Sequence, residues 1–443
     1  MKASQFNSLA DYENDMLLYN SLSHAFVKLD RDSYDMYLKI TSQDSEKTLD
    51  ESDPLISAAI ADFKRGGFIV NNELNEVDLL RVNQLFRRFP ENNLLDITIA
   101  PTSDCNFNCI YCYENYKKPD YMSREVEDTI IKYVDKHLKP DSGLVVTWFG
   151  GEPLMGLETI YRLSEEFIKI AEKKKSIYSS TIVTNGYLLN QEVVTNLKKC
   201  KIEGAQITLD GAPEYHDQVR CHKDGSGTFD TILKNIQEIE KDFMIVIRVN
   251  VGRNNLDSFV PLLDKLEEYG VINRVAVSVA ELEAREYSCD EVKEAMLTPE
   301  EFSKVYVKFI ETIIKRGINA RVIPRSHALN CASISRNGFL IGPDGKMYKC
   351  WDLIGSPTEC IGKIGEPVPL TDGSLKWLAW DVFKNEECCS CNILPLCMGG
   401  CPRKSIVKDE ILNSMDSCFP AKYVMDDLLK ILYRQQLMAK NAW

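Results

Sequence analysis

Leu95-Asp96-Ile97-Thr98-Ile99-Ala100 and, just beyond it, Cys105-Asn106-Phe107-Asn108-Cys109-Ile110-Tyr111-Cys112 are the stretch on which the reading of this chain turns. The first run is apolar and β-branched, a strand. The second places three thiols within eight residues at the C-terminal end of that strand. Three thiolates so close together can grip three irons of a cubane cluster and leave the fourth iron open. An open iron is a place for chemistry. A zinc knuckle favours two-residue gaps and a fourth Cys or His nearby. Here the nearest histidine is His137, so the ligand set points to a cluster rather than zinc.

Moving outward, a regular alternation begins at Leu94. Further strands are expected at 144–149, 179–184, 205–209, 244–251 and 274–279, with helical patterns between them, such as 161–173 and 257–269. The last helix opens with Thr298-Pro299-Glu300-Glu301, a capping box with proline at the first helical position. Six βα units predict a parallel sheet curled by right-handed crossovers into an open barrel, with functional groups gathered at the strand C-termini. The cysteine loop belongs there.

Ahead of the barrel lies a cysteine-free segment. It reads as a hairpin over 16–30 turning near Asn20-Ser21, helices around 33–40 and 54–64, a strand at 68–70 and a helix around 76–89. That order suggests a small winged-helix-like module. Past about Arg321 the pattern breaks into short strands around Gly342-Pro343-Asp344-Gly345, and a helix over 421–439 ends the chain. Little in this last part suggests a large core, so ligated metal is expected to stabilise it. The expected domains are 1–92, 93–320 and 321–443.

The formal charge of −13 argues against a phosphate-dominated partner such as DNA or RNA. No apolar run approaches membrane-spanning length and no leader pattern opens the chain, so a cytoplasmic protein without a membrane partner is expected. Fifteen cysteines in such a chain are not a disulfide framework. Nine of them lie between Cys331 and Cys418, which implies metal ligation at a second place, in a reducing setting.

Other motifs collect on the strand ends. Phe149-Gly150-Gly151-Glu152-Pro153 ends the second barrel strand; its glycines let a ligand approach the backbone, and Glu152 offers an acceptor to an ammonium group. Thr184-Asn185-Gly186 and Thr208-Leu209-Asp210-Gly211 add hydroxyl and amide groups, and His216, Asp217 and Arg220 follow. His216 reads first as a structural hydrogen-bonding residue, Arg220 equally as a carboxylate clamp.

These residues resemble the radical S-adenosylmethionine (SAM) superfamily. The resemblance implies that Cys105, Cys109 and Cys112 hold a 4Fe–4S cluster whose fourth iron binds the methionyl amine and carboxylate of SAM. One electron then cleaves the sulfonium to a 5′-deoxyadenosyl radical that takes hydrogen from an unactivated C–H bond. It also implies Tyr111 near the adenine, Glu152 on the methionyl ammonium, and cofactor contacts from Gly150, Gly151, Asn185, Thr208 and Arg220.

The tail strengthens the likeness. Cys331, then Gly345 and Cys350, then Cys388-x2-Cys391-x5-Cys397-x3-Cys401 and Cys418 are similar to the seven-cysteine signature of SPASM domains. The resemblance implies two auxiliary 4Fe–4S clusters, three in all. Cys331, Cys350 and Cys401 would serve the first, and Cys388, Cys391, Cys397 and Cys418 the second. The first is one ligand short: a spare cysteine such as Cys360 completes it, or an iron stays open for a substrate thiolate. Cys200, Cys221, Cys289 and Cys389 have no motif and read as structural.

The implied fold is α/β, a partial (β/α)6 TIM-like barrel with an N-terminal winged-helix-like module and a C-terminal iron–sulfur SPASM domain. The N-terminal order resembles the leader-recognition element of enzymes that mature ribosomally made peptides, where an edge strand takes the leader as an added strand. The implied activity is a radical SAM peptide maturase installing a cross-link, foremost a cysteine thioether, with carbon–carbon cross-linking and epimerisation as variants. Its partners would be a precursor peptide bound through its leader and a reductant such as flavodoxin or ferredoxin. The alternative is an anaerobic sulfatase-maturing enzyme forming formylglycine. That family has Asp directly after the corresponding cysteine, whereas here Trp351 separates Cys350 from Asp352. A catalytically silent peptide-binding protein is the remaining class, opposed by the intact cysteine set and Gly-Gly-Glu-Pro.

Overall fold

The structure is a computed structural model and describes residues 1–42, 52–90, 94–114, 118–285, 287–318, 320–323, 331–366, 371–407 and 418–441. The expected boundary at 92–93 lies outside the described residues. Strands are numbered in chain order. The N-terminal part holds β1 (Lys2–Ala3), β2 (Asn7–Tyr12), β3 (Asp15–Asn20), β4 (Phe26–Leu29) and β5 (Ile69–Val70). The barrel strands are β6 (Leu95–Ile99), β7 (Gly143–Trp148), β8 (Ile177–Thr184), β9 (Ile202–Thr208), β10 (Met244–Val251) and β11 (Val275–Glu281). Three short ones follow: β12 (Gly338–Ile341), β13 (Lys346–Tyr348) and β14 (Gly362–Lys363).

From β6 to β11 each strand pairs in parallel with the next. Their branched side chains bury on the pleated surface, with Ile97, Ile99, Leu144, Val146, Trp148, Ile207 and Ile247 fully enclosed. Helices cross back between them. The helix Leu157–Lys174 shows how: Ile160, Leu163, Phe167 and Ile170 recur at helical spacing and face the sheet, while its charged residues face water. Burying one such side chain as large as Phe167 contributes about 1.5–3 kcal/mol. On the far side Phe259 and Phe309 stack at 3.8 Å, joining the helices Phe259–Glu268 and Pro299–Lys315.

The sheet continues beyond β11's partner set in an unexpected direction. β12 pairs in parallel with β6 on its open edge, and β13 and β14 extend it antiparallel, giving nine strands in one sheet. The C-terminal segment thus shares the barrel's core, where the sequence suggested little core of its own. All four residues of β12 are buried. The short strands expected on either side of Gly342-Pro343-Asp344-Gly345 are β12 and β13, and a run enclosed on both faces carries no alternation that would reveal its partner, β6.

In the N-terminal module β2, β3 and β4 form an antiparallel sheet, and β1 pairs with β5. The expected hairpin is β3–β4. Its neighbour β2, Asn-Ser-Leu-Ala-Asp-Tyr, is too polar to announce itself. Asp30, Asp53 and Asn75 cap the three helices Arg31–Thr41, Pro54–Arg65 and Glu76–Arg88 by accepting from backbone N–H groups. The final helix, Ala421–Asn441, joins module to barrel: Tyr433 meets Tyr12 edge-on at 5.0 Å, and Arg434 pairs with Glu311 at 2.8 Å. No helix among the described residues is long and apolar enough to cross a membrane.

The capping box at Thr298 is formed from both sides, with Glu301 N–H donating to Thr298 Oγ1 and Thr298 N–H to Glu301 Oε2. Thr298→Ala is expected to cost about 1 kcal/mol of local stability. Hydrogen exchange should then quicken over the first turn of Pro299–Lys315 and leave β6 to β10 unchanged.

Candidate active site

The cysteine loop is held by the turn after β7. Glu152 N–H donates to Asp104 O at 2.8 Å and Gly151 N–H to Thr102 O at 3.2 Å. This pairing needs glycine twice. Gly150 has φ +116° and a Cβ there would lie 2.5 Å from Thr102 O; a Cβ on Gly151 would lie 2.1 Å from Asp104 O. The two glycines thus let the loop's own backbone approach, and both line the cavity described below.

Glu152 is fully buried and does not line that cavity. Its carboxylate accepts from Thr184 Oγ1 at 2.7 Å, Asn185 N–H at 2.8 Å and Leu154 N–H at 3.0 Å. Burial raises its pKa, and these donors work against that. Glu152 thus clasps the ends of β7 and β8 together. Asn185 does face the cavity, its Nδ2 donating to Asn106 Oδ1 at 2.7 Å and lying 4.0 Å from Cys105 Sγ.

Arg220 enters from the fourth crossover. Its Nη1 donates to Tyr111 Oη at 2.8 Å, and Tyr111 in turn donates to the buried carboxylate of Asp210. Burial would strip charge from Arg220, but Cys109, Tyr111 and Asp210 outweigh it and hold its pKa well above the ordinary value. Arg220 Nε is enclosed and has no protein partner. A buried guanidinium with spare donor capacity beside a cavity suits a carboxylate ligand. His216 and Asp217 stay behind the rim. Asp210 N–H donates to His216 Nδ1 at 3.3 Å, so the ring proton sits on Nε2, facing Thr228 Oγ1 at 3.2 Å. Burial, aided by Arg220, drives the His216 pKa well below its ordinary value. Asp217 caps the helix Phe229–Glu238 through Thr228 and Phe229 N–H groups.

These groups open on a cavity of about 650 Å³. Its lining includes Cys105, Cys109, Cys112, Tyr111, Asn185, Thr208 and Arg220 as well as Glu281, Glu283, Arg285, Trp351 and Asp352. Tyr113 stacks on Phe149 and Trp351 leans on Phe149 at 4.8 Å, its indole N–H donating to Thr98 Oγ1 at 2.9 Å. Arg285, nearly enclosed, pairs with Asp352 at 2.6 Å and Glu283 at 3.3 Å. Sequence reading missed Asp210, Asn250, Arg248 and Arg285. Asp210 stood inside a quoted motif. Asn250 and Arg248 end β10, where the rule of strand C-termini pointed.

Trp351 and Asp352, which line the cavity, directly follow Cys350 in the chain. Burial pushes the Cys350 thiol up, and the charges of Asp352, Cys331 and Cys401 add to it. Burial likewise raises Cys388 to about 11, and the charges of Cys397, Cys418 and Cys391 add to it. Two groups of thiols thus gather, 331/350/401 and 388/391/397/418. Cys360 stands elsewhere: its thiol donates to Gly362 O at 3.3 Å, and it packs with Tyr348 and Ile354. Among the described residues no three His, Cys, Asp or Glu side chains converge to hold a single metal ion. A cubane instead needs soft thiolates standing apart around it, and the donor sets fit that chemistry. Cys200 is buried, Cys221 and Cys389 donate to carbonyls of Asn108 and Phe383, and Cys289 is exposed.

The Gly151 contact gives a direct check. In Gly151→Ala the new Cβ meets backbone and the loop must move, so iron bound by the first three cysteines should fall severalfold while the fold persists. Iron analysis alongside circular dichroism reads both.

Residues 99–247 match the model of the radical SAM superfamily. The radical SAM cyclopropyl synthase TigE of Paramaledivibacter caminithermalis is 22% identical over 430 residues, covering 89% of this chain and 88% of that protein. A cysteine-type anaerobic sulfatase-maturating enzyme of Clostridium novyi is 24% identical over 354 residues, 70% of this chain and 88% of its own length. Among solved structures, His-tagged anSMEcpe with bound AdoMet superposes with a TM-score of 0.60 at 20% identity, over 78% of this chain and 99% of that one, and shows the shared fold. With the open parallel barrel and the cysteine loop at its rim, the match shows that residues 99–247 of this chain form a radical SAM domain.

Proposed function

We propose that this chain is a peptide maturase that takes hydrogen from a precursor peptide and installs a cross-link, a thioether from cysteine sulfur. Cys105, Cys109 and Cys112 would hold the cluster that, when bound, supplies the one-electron cleavage of SAM. Gly150, Gly151, Asn185, Thr208 and Arg220 would seat that cofactor, Arg220 through its spare Nε on the carboxylate. Tyr111, pinned by Asp210 and Arg220, would close the adenine side.

The observation that carries the reading is the single cavity running from the cysteine loop to the residues after Cys350. A peptide residue lying there would meet the SAM-binding end and the first auxiliary set at once. Cys331, Cys350 and Cys401 would hold that auxiliary cluster. Cys360 packs away from them, which supports a place left for a substrate thiolate. The precursor's leader would add to β4, whose outer edge carries no strand among the described residues, since the sheet runs β2-β3-β4. Flavodoxin or ferredoxin would supply the electron.

A second reading is carbon–carbon bond formation, favoured by the likeness to a cyclopropyl synthase over 89% of this chain. The sulfatase-maturating relative covers 70%, and the extra N-terminal module is unneeded for that reaction.

Co-expression with a cysteine-bearing precursor peptide, followed by mass spectrometry, tests the proposal. Loss of the mass of two hydrogens per event is expected, with sulfur alkylation blocked at the modified cysteine for a thioether and unblocked for a carbon–carbon bond. An unmodified peptide alongside a formylglycine-bearing sulfatase would overturn the reading. Replacing Cys105, Cys109 and Cys112 together with Ala should abolish release of 5′-deoxyadenosine and leave peptide binding intact.

A further inference from the structure

The N-terminal module and the loop bearing Cys388, Cys391 and Cys397 share a small core of their own. Phe6 and Leu80 come from the module; Val382, Leu394 and Met398 come from the C-terminal segment, and Cys388 packs against the group. Phe6, Leu394 and Met398 are fully enclosed, and Met398 directly follows Cys397. The core is ringed by polar contacts that all cross the same boundary. Ser21 Oγ donates to Asn392 O at 2.5 Å, and Asn392 Nδ2 donates to Ser8 Oγ at 2.9 Å and Asn7 O at 3.3 Å. Gln5 Nε2 donates to Cys389 O at 3.0 Å, and Arg81 pairs with Asp381 at 2.9 Å.

Asn392 immediately follows Cys391, so the side chain beside one thiol is anchored on β2 rather than within its own loop. Cys389 O, beside Cys388, is likewise held from the module. On the module side, buried Glu76 accepts from Ser4 Oγ and from Gln5 N–H at 2.9 Å, fixing the turn that presents Phe6. The helix Glu76–Arg88 turns Leu80 into this junction while Leu79, one residue earlier, is exposed. The loop 388–397 has only short helical pieces, Glu386–Ser390 and Leu394–Cys397, and so little intrinsic means of holding its shape.

We propose that the N-terminal module is a wall of the site formed by Cys388, Cys391, Cys397 and Cys418, and that Leu80 and Asn392 are positioning residues for it. The thiols of this set reach cluster-holding geometry only while the module is docked. This rests on the reading that the set holds the second auxiliary cluster. It gives the module a task besides peptide recognition and ties the two together, because β2 belongs both to the sheet that would receive a leader and to the loop's anchor.

The test compares full-length parent, Leu80→Ala, Asn392→Ala and the control Leu79→Ala, with Cys391→Ala marking loss of this cluster. Each is reconstituted anaerobically and read by iron and sulfide content, by electron paramagnetic resonance of the reduced protein, and by hydrogen exchange over 386–401. Leu80→Ala and Asn392→Ala are expected to lose up to about a third of their iron, one cluster of three, and the same signal that Cys391→Ala loses. Leu79→Ala should match the parent, and the spectral response to added SAM should persist in all. Should Leu80→Ala lose every signal by unfolding, Asn392→Ala decides. Variants with the parent's iron, spectra and exchange overturn this inference alone; a parent whose spectra do not change with Cys391→Ala overturns the cluster reading as well.

Discussion

Two backbone hydrogen bonds hold the centre of this molecule together. The turn after β7 donates from Gly151 and Glu152 into the carbonyls of Thr102 and Asp104, and thereby fixes where the cysteine loop leaves β6. Side chains cannot substitute, because the two strands' ends stand too close for any Cβ. The Glu152 carboxylate then reaches on to Thr184 and Asn185, so a third strand end is locked to the first two. Loop position, glycine pair and buried acid form one device, and the shape of the cavity mouth follows from it.

Charge is arranged differently in the two polar groups that line the cavity. Beside the cysteine loop, Arg220 and the buried carboxyl of Asp210 hold the Tyr111 phenol between them, and burial works against the charges that these partners favour. Around Arg285, Asp352 and Glu283 form a chain of ion pairs, continued by Lys404 against Glu283 at 3.2 Å and Glu281 at 3.6 Å. Buried pairs of this kind add little net stability, but they define which polar groups a guest must match.

Much of this was legible in the chain. Periodicity marked β10 to the residue and the other barrel strands to within a few positions, because half-buried β-branched runs alternate with helices bearing apolar stripes. The cysteine spacings named the metal-ligating candidates, since that chemistry is local in sequence. What stayed hidden depends on distant partners. β12 was marked as a strand, but its pairing with β6 was not, because a run buried along its whole length carries no alternation that points to a partner. The hydrogen bonds of Glu152 to Thr184 and Asn185 were not legible, because three-dimensional proximity brings the end of β8 to it. Arg285 had no motif at all; its importance comes from meeting Asp352 across the fold.

The pairing of β12 with β6 also bears on how the protein is made. During translation the barrel strands emerge in order, but the outer edge of β6 has no neighbour until residues 338–341 leave the ribosome. Through that interval the nascent barrel exposes a row of unpaired N–H and C=O groups beside the cysteine loop. Fragments ending before β12 would keep this edge permanently and aggregate through it, so a shortened barrel is a poor vehicle for isolating the SAM-binding half. The last strands made are the ones that seal the first.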